Sequence, residues 1–250
     1  MPQMRQRLLA KRHEVYYNGY DCIQTCLKVT TMQKIKFETK SDFRSFARAK
    51  LNFVHNAYKR DKIIEKQILE MVYRLKARSI LLYVSLPIEA STRGVIATCR
   101  RRKCNVYVPF MEGISFKMVK WRLPSSRKKF NIEEPKNSFA VKPKIDFAIV
   151  PVIGVDGAFK RIGFGKGMYD RFFASLEPKP PIAFVQREFC MTQSLICEPH
   201  DIAADIYLTL YKTIIKRETN GLRVISGRRR CISKRRCRIF HRQKDGSCQL

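Results

Sequence analysis

The sequence predicts an α/β protein built on parallel strands, and three stretches carry that expectation. Residues 145–155 (IDFAIVPVIGV) form a continuous apolar run rich in β-branched residues, the composition of a strand buried on both faces. Residues 79–86 (SILLYVSL) form a second such run. A helical stretch from Thr92 to Arg102 and a strand from Asn105 to Pro109 follow it, which makes a βα repeat. Third, the run at 145–155 leads into a glycine-rich loop and then a stretch of helical spacing, with Tyr169, Phe172, Phe173 and Leu176 on one face.

Taken in order, residues 1–33 read as a loosely ordered extension, and Met32 offers an alternative start. Residues 38–60 read as a helix with Ser41 as N-cap and an apolar stripe of Phe43, Phe46, Ala47, Leu51 and Val54. Lys40, Arg44 and Arg48 repeat every four residues on another face, the pattern of a solvated basic face. A second helix is expected from Lys62 to Lys76. The turn Pro87–Thr92 lies at the carboxyl end of the strand at 79–86, where open α/β sheets bind ligands. Glu89, in that turn, reads equally as a capping acid for the next helix and as a ligand-binding carboxylate. Residues 116–121 read as a short strand, 123–144 as a loop and 181–189 as another strand.

The loop from Asp156 to Arg171 (DGAFKRIGFGKGMYDR) carries the chemistry. Gly163, Gly165 and Gly167 alternate, so their bare N–H groups can form an anion-binding nest. Lys166 adds a point charge suited to a terminal phosphate, and Asp170 is a hard oxygen donor suited to Mg²⁺. Glycines alone fit a surface turn. With Lys166 and Asp170 they fit a phosphate or nucleotide site placed where a loop enters a helix. A Walker A loop is excluded because Gly167, not Ser or Thr, follows the lysine. The dinucleotide fingerprint is excluded because only Lys166 separates Gly165 from Gly167.

The formal net charge is +30. Residues 212–250 hold 13 Lys and Arg against two acids, and read as a basic, disordered tail able to touch nucleic acid. The globular part is also basic, which suits anionic substrates and also non-specific nucleic-acid binding. A non-enzymatic nucleic-acid-binding protein is therefore the rival reading. Nine cysteines at irregular spacing read as reduced thiols, and with no apolar leader or spanning run the expected location is cytoplasmic, away from membranes. Cys231, Cys237, His241 and Cys248 have zinc-ligand chemistry at intervals that fit no zinc-knuckle pattern. His200 has no partner at zinc spacing and reads as structural.

From Arg161 to Arg171 the loop closely resembles the pattern of the 5-formyltetrahydrofolate cyclo-ligase family, Arg-Leu-Gly-x-Gly-x-Gly-Tyr-Tyr-Asp-Arg. Ile162 replaces the leucine, and Met168 stands where the first tyrosine is expected. Lys40 and Arg44 match the family's Lys-x-x-x-Arg, Tyr83 to Thr92 resembles its Tyr-x-x-x-Pro-x-Glu-x-x-Thr, and Ile132 to Pro135 resembles its Ile-x-Glu-Pro turn. Residues 34–211 thus resemble one family domain, with extensions on both sides. The resemblance implies a doubly wound α/β domain with a mainly parallel sheet, acting as a monomer. It also implies ATP-dependent cyclisation of 5-formyltetrahydrofolate, polyglutamylated or not, to 5,10-methenyltetrahydrofolate. Lys40, Arg44, Arg161, Gly163, Phe164, Gly165, Lys166, Gly167, Met168 and Tyr169 would then hold ATP, with Lys166, Arg161 and Tyr169 catalytic. Glu89, Met168 and Tyr169 would position the folate, the loop at 123–144 would close over it, and Asp170 and Asp201 would bind Mg²⁺.

Overall fold

The computed structural model describes residues 36–112, 115–122, 125–127, 133–135, 139–216 and 222–226. The helix expected over 38–60 ends at Asn52, and its last residues begin the second expected helix instead. Helix α1 (Lys40–Asn52) is capped by Thr39, not Ser41; the Thr39 hydroxyl oxygen accepts the Asp42 N–H at 3.1 Å. Asn56, in the left-handed region at φ 55°, turns the chain before α2 (Ala57–Arg74) begins. Of the predicted stripe, Phe43, Ala47 and Leu51 are buried, and Val54 falls outside both helices.

Strand β1 (Ser79–Leu81) is followed by an extended, buried segment, then α3 (Arg93–Arg101) and β2 (Asn105–Glu112). The antiparallel β3 (Ser115–Lys120) pairs with β2. Within the stretch expected to be loop, β4 (Ser125–Arg127) pairs with β5 (Glu133–Pro135) as a small antiparallel ladder. β6 (Phe147–Pro151) is buried throughout and lies parallel to its neighbours, as its composition predicts. It does not lead directly into the glycine loop. A two-stranded hairpin intervenes, β7 (Gly154–Val155) with β8 (Arg161–Ile162), and the loop then enters α4 (Met168–Ala174). Asp156 shapes the hairpin turn, accepting the N–H groups of Ala158 and Lys160 at 2.9 and 2.8 Å.

β9 (Ile182–Val185), β10 (Ile206–Leu208), β11 (Lys212–Lys216) and β12 (Leu222–Ser226) complete an eight-stranded sheet. Its order is β12-β11-β10-β9-β6-β1-β2-β3, with five central strands parallel and antiparallel strands on both sides. Helices α2 and α3 cover one face through Ile64, Ile68, Val72, Val95 and Ile96. Helix α4 covers the other through Phe172 and Phe173. Helix α1 packs on Ile153, Ile162 and Cys190, beside the hairpin. The mainly parallel, doubly wound architecture is the expected one.

Residues 212–216 and 222–226, assigned by their charge to a disordered tail, continue the sheet instead. Lys212, Thr213 and Ile214 are buried, and β11 covers what would otherwise be the open edge of β10. Ending the chain at residue 211 should therefore lower the melting temperature by roughly 5–10 °C or more, since losing one buried isoleucine alone forfeits about 1.5–3 kcal/mol. Ending it at 226 should leave the melting curve unchanged. Paired scanning-calorimetry runs on the two truncations check this. The expected extension at 1–33, the start at Met32 and the possible zinc ligands Cys231, Cys237, His241 and Cys248 lie outside the described residues.

Candidate active site

Strand order reverses between β1 and β6: the chain runs outward from β1 to β2, then resumes at β6 on the other side. Ligands of open α/β sheets bind outside the carboxyl ends of the strands at such a switch point. Here β1 leads to the turn carrying Glu89, and β6 leads to the hairpin that precedes the glycine loop.

A cleft of about 580 Å³ opens between α1, the glycine loop, α4 and residues 198–201. It brings together Lys40, Arg44, Arg161, Gly163, Gly165, Lys166, Gly167, Asp170 and Asp201. Of the predicted residues it leaves out Glu89, Phe164, Met168 and Tyr169. Gly165 has φ 103°, and an added Cβ would meet nothing nearer than Arg44 at 3.8 Å, so its backbone lies open to a ligand. At Gly163 an added Cβ would strike the Arg161 guanidinium at 2.2 Å, so the missing side chain is what lets that arginine pass beneath the loop. α4 has only seven residues, and the positive charge of the cleft comes from its side-chain cations.

The α1 cations tie that helix to the loop. Arg44 Nε donates to Gly163 O at 2.8 Å, and Arg48 donates to Phe164 O at 3.3 Å while lying 5.7 Å over the Phe164 ring. Phe164 thus packs toward α1. Arg48, read by sequence as a solvated charge, anchors the loop. Lys40 Nζ donates to Asp201 Oδ2 at 2.5 Å and to Glu198 Oε1 at 3.1 Å. Burial alone would lower the Lys40 ammonium; those two hydrogen bonds outweigh it and raise it above its ordinary value.

Arg161 is the hinge between cleft and interior. It is buried, donates Nε to the carbonyl of Pro151 at the end of β6 (3.1 Å), and lies 3.6 Å from Asp170 Oδ2. Burial lowers its pKa, and Asp170, Tyr169, Glu89 and Asp201 oppose that. On its inner side the guanidinium sits 4.7 Å over the Tyr169 ring, which meets Phe116 edge-on at 4.8 Å. Burial, with the charge of Glu89 nearby, pushes the Tyr169 hydroxyl well above its usual range, so it keeps its proton. Met168 packs half-buried beside Tyr169.

Glu89 is buried and accepts the Leu86 N–H at 2.8 Å. It does not cap α3. That task falls to Glu65, whose Oε1 accepts the Gly94 N–H at 2.8 Å. Burial raises the Glu89 carboxyl to about 7, against the pull of the Leu86 N–H, Arg161 and Arg187. The folded protein keeps this proton up to about pH 7, whereas the unfolded chain releases it near 4.5. Stability should therefore fall as pH rises between those values, by at most about 3 kcal/mol, and level off above. Glu89→Gln cannot ionise and should flatten that slope in urea titrations between pH 4.5 and 8.

Arg187 positions the Glu89 turn, and sequence reasoning missed it. Its guanidinium grips buried Asp61 with two bonds of 2.8 and 2.9 Å and donates to Pro87 O at 2.6 Å. Glu198 and Arg171 were also missed as cleft residues. Arg171 ends the family pattern, and its guanidinium donates to Lys166 O.

The ligand atoms of Glu198, His200 and Asp201 lie within 4.8 Å of one another at the cleft rim; Asp170 is not in that group. Asp170 instead accepts the Ile202 N–H at 3.2 Å beside Arg161. His200 is exposed rather than structural, 3.4 Å from Glu198. Carboxylate oxygens at the rim of a cationic cleft suit Mg²⁺, which keeps several of its own waters. Cys99, Cys104, Cys190 and Cys197 are free thiols. Among the described residues no helix is long and apolar enough to cross a membrane.

Fold and cleft define an α/β protein with a cluster of cations beside a buried acidic side chain at one switch point. The model of the 5-formyltetrahydrofolate cyclo-ligase family matches residues 33–210, and the chain belongs to that family of enzymes. The 5-formyltetrahydrofolate cyclo-ligase of Haemophilus influenzae is 28% identical over 127 residues, covering 48% of this chain and 68% of that protein. The 5,10-methenyltetrahydrofolate synthetase of Aquifex aeolicus superposes with a TM-score of 0.60 at 21% identity, over 70% of this chain and 91% of its own. That of Mycoplasma pneumoniae gives 0.54 at 19%, over 67% and 96%. These two likenesses show the fold.

Proposed function

We propose that this chain catalyses the ATP- and Mg²⁺-dependent cyclisation of 5-formyltetrahydrofolate to 5,10-methenyltetrahydrofolate, releasing ADP and phosphate. The observation that carries the reading is the position of Arg161, with the cationic cleft on one side and Tyr169 and Glu89 on the other. A formamide oxygen is a poor leaving group. Transfer of the γ-phosphoryl of ATP onto it breaks the β–γ bond and frees ADP. Attack by N10 on the formyl carbon then expels the oxygen as phosphate, and N10 gives up its proton to solvent. Such transfers need positioning and charge neutralisation more than a protein nucleophile.

Lys166, Arg44 and Arg161 would hold the phosphates over the open backbone of Gly165. Asp201 with Glu198 would hold Mg²⁺, which would supply positive charge to offset that of the phosphate oxygens, and Asp170 would act by orienting Arg161. Glu89 would accept hydrogen bonds from the amino edge of the pterin, and Tyr169 would line that pocket. The supported substrate is a folate, and a polyglutamate tail would find cations at the cleft mouth. Purified protein with 5-formyltetrahydrofolate, ATP and Mg²⁺ should develop the absorbance of the methenyl product; tight ATP binding without it would refute the reaction.

Met168 gives a finer test. A thioether against a ring contributes about 0.3–1.5 kcal/mol and offers no flat stacking face. Met168→Tyr should lower the KM for folate with kcat little changed, the pattern of added uniform binding, measured by the same absorbance assay.

A further inference from the structure

The layer formed by α2 and α3 carries a charge that the reaction does not use. Residues 57–103 hold four acids, and three are turned inward: Asp61 grips Arg187, Glu65 caps α3, and Glu89 lies in the interior. Among the described residues of this stretch Glu70 alone is an exposed acid. The exposed cations of the same layer include Lys59 and Lys66 along α2, Lys62, which also donates to Glu65 Oε2 at 2.9 Å, and the unbroken run Arg100–Lys103 where α3 ends. Placing so many like charges on one layer costs self-repulsion, which a polyanion would relieve.

Two aromatic rings stand among these cations. Tyr58 is 74% exposed and Tyr73 is 73% exposed. Fifteen residues of α-helix separate them by about 22 Å, and helical phase puts Tyr58, Lys62, Lys66 and Tyr73 on one outward strip. Lys62 Nζ stands 5.4 Å over the Tyr58 ring. The apolar face of α2 (Ile64, Ile68, Val72) is spent on the core, so the helix has no second apolar face to sink into a bilayer. Cations interleaved with exposed rings are the surface that binds single-stranded nucleic acid, the charges tracking phosphates and the rings stacking on bases.

We propose that the outer face of α2 and α3 binds single-stranded RNA. It lies on the opposite face of the sheet from α4 and shares no residue with the cleft. The probe is a fluorescent 20-nucleotide oligouridylate, titrated by anisotropy with the full-length protein over a range of salt. Lys59→Ser/Lys66→Ser/Arg100→Ser should weaken binding at least tenfold and reduce the slope of log K against log salt by about 2, since each single-strand phosphate contact contributes about 0.7. Tyr58→Ala/Tyr73→Ala should weaken binding at least fivefold and leave that slope unchanged, as lost stacking does. Unchanged melting curves for both variants would show that the fold survives. Wild-type affinity and slope in the triple variant would overturn the assignment and place RNA contact elsewhere on the chain. A loss seen only with phosphatidylserine vesicles, and not with RNA, would overturn it in favour of a membrane surface.

Discussion

Lys166→Ala should cut kcat by about 10²–10³-fold while the protein melts at its usual temperature, because removing one donor aimed at transition-state charge typically costs about 2.7–4 kcal/mol. Lys166 is exposed on the loop between Gly165 and Gly167 and lines the cleft, so its loss removes charge without opening the core. Single-turnover measurements of methenyl formation at saturating ATP isolate the chemical step. A kcat within a factor of two of the parent would remove Lys166 from the mechanism. Lys166→Arg offers a useful contrast, since a planar guanidinium keeps the charge but not its shape.

Arg187→Leu should be the most destabilising single change at this site. Breaking a buried ion pair leaves its partner charge uncompensated, at about 3–5 kcal/mol. Here the stranded group is Asp61, and the carbonyl of Pro87 loses its donor as well. A fall of roughly 10 °C or more in melting temperature is expected. Asp61→Leu combined with Arg187→Leu should recover much of that stability, since an apolar pair can replace a buried ionic one. The double variant should still show a raised KM for folate, because the turn carrying Glu89 has lost its tether. If the double variant regained both stability and the parent KM, Arg187 would be a stability element and no more.

The course of the glycine loop was legible because it is local: Gly165 takes a φ of 103°, where glycine alone is at ease, and the chain then enters a helix. The same holds for β6, whose unbroken apolar run has only one use in an α/β protein. Arg187 and Glu65 were not legible, because their partners lie far along the chain: Asp61 is 126 residues from Arg187, and Gly94 is 29 from Glu65. The failure at β11 has the opposite cause. Lys212 and Lys216 flank Thr-Ile-Ile, and the mean charge of the region masked a short apolar core within it. Asn56 misled in a third way, since nothing in a periodic stripe announces a single left-handed residue.

Helix α1 is made early and docked late. It holds Gly163 through Arg44 across 119 residues, Phe189 through Lys50 across 139 and Asp201 through Lys40 across 161. On a ribosome adding about 5–20 residues per second, this helix emerges many seconds before any of those partners exists. Through that interval Phe43, Ala47 and Leu51 have no core to enter, and the cationic cleft cannot form. The earliest helix among the described residues therefore waits on a partner 161 residues away, and its apolar stripe stays uncovered for most of that interval.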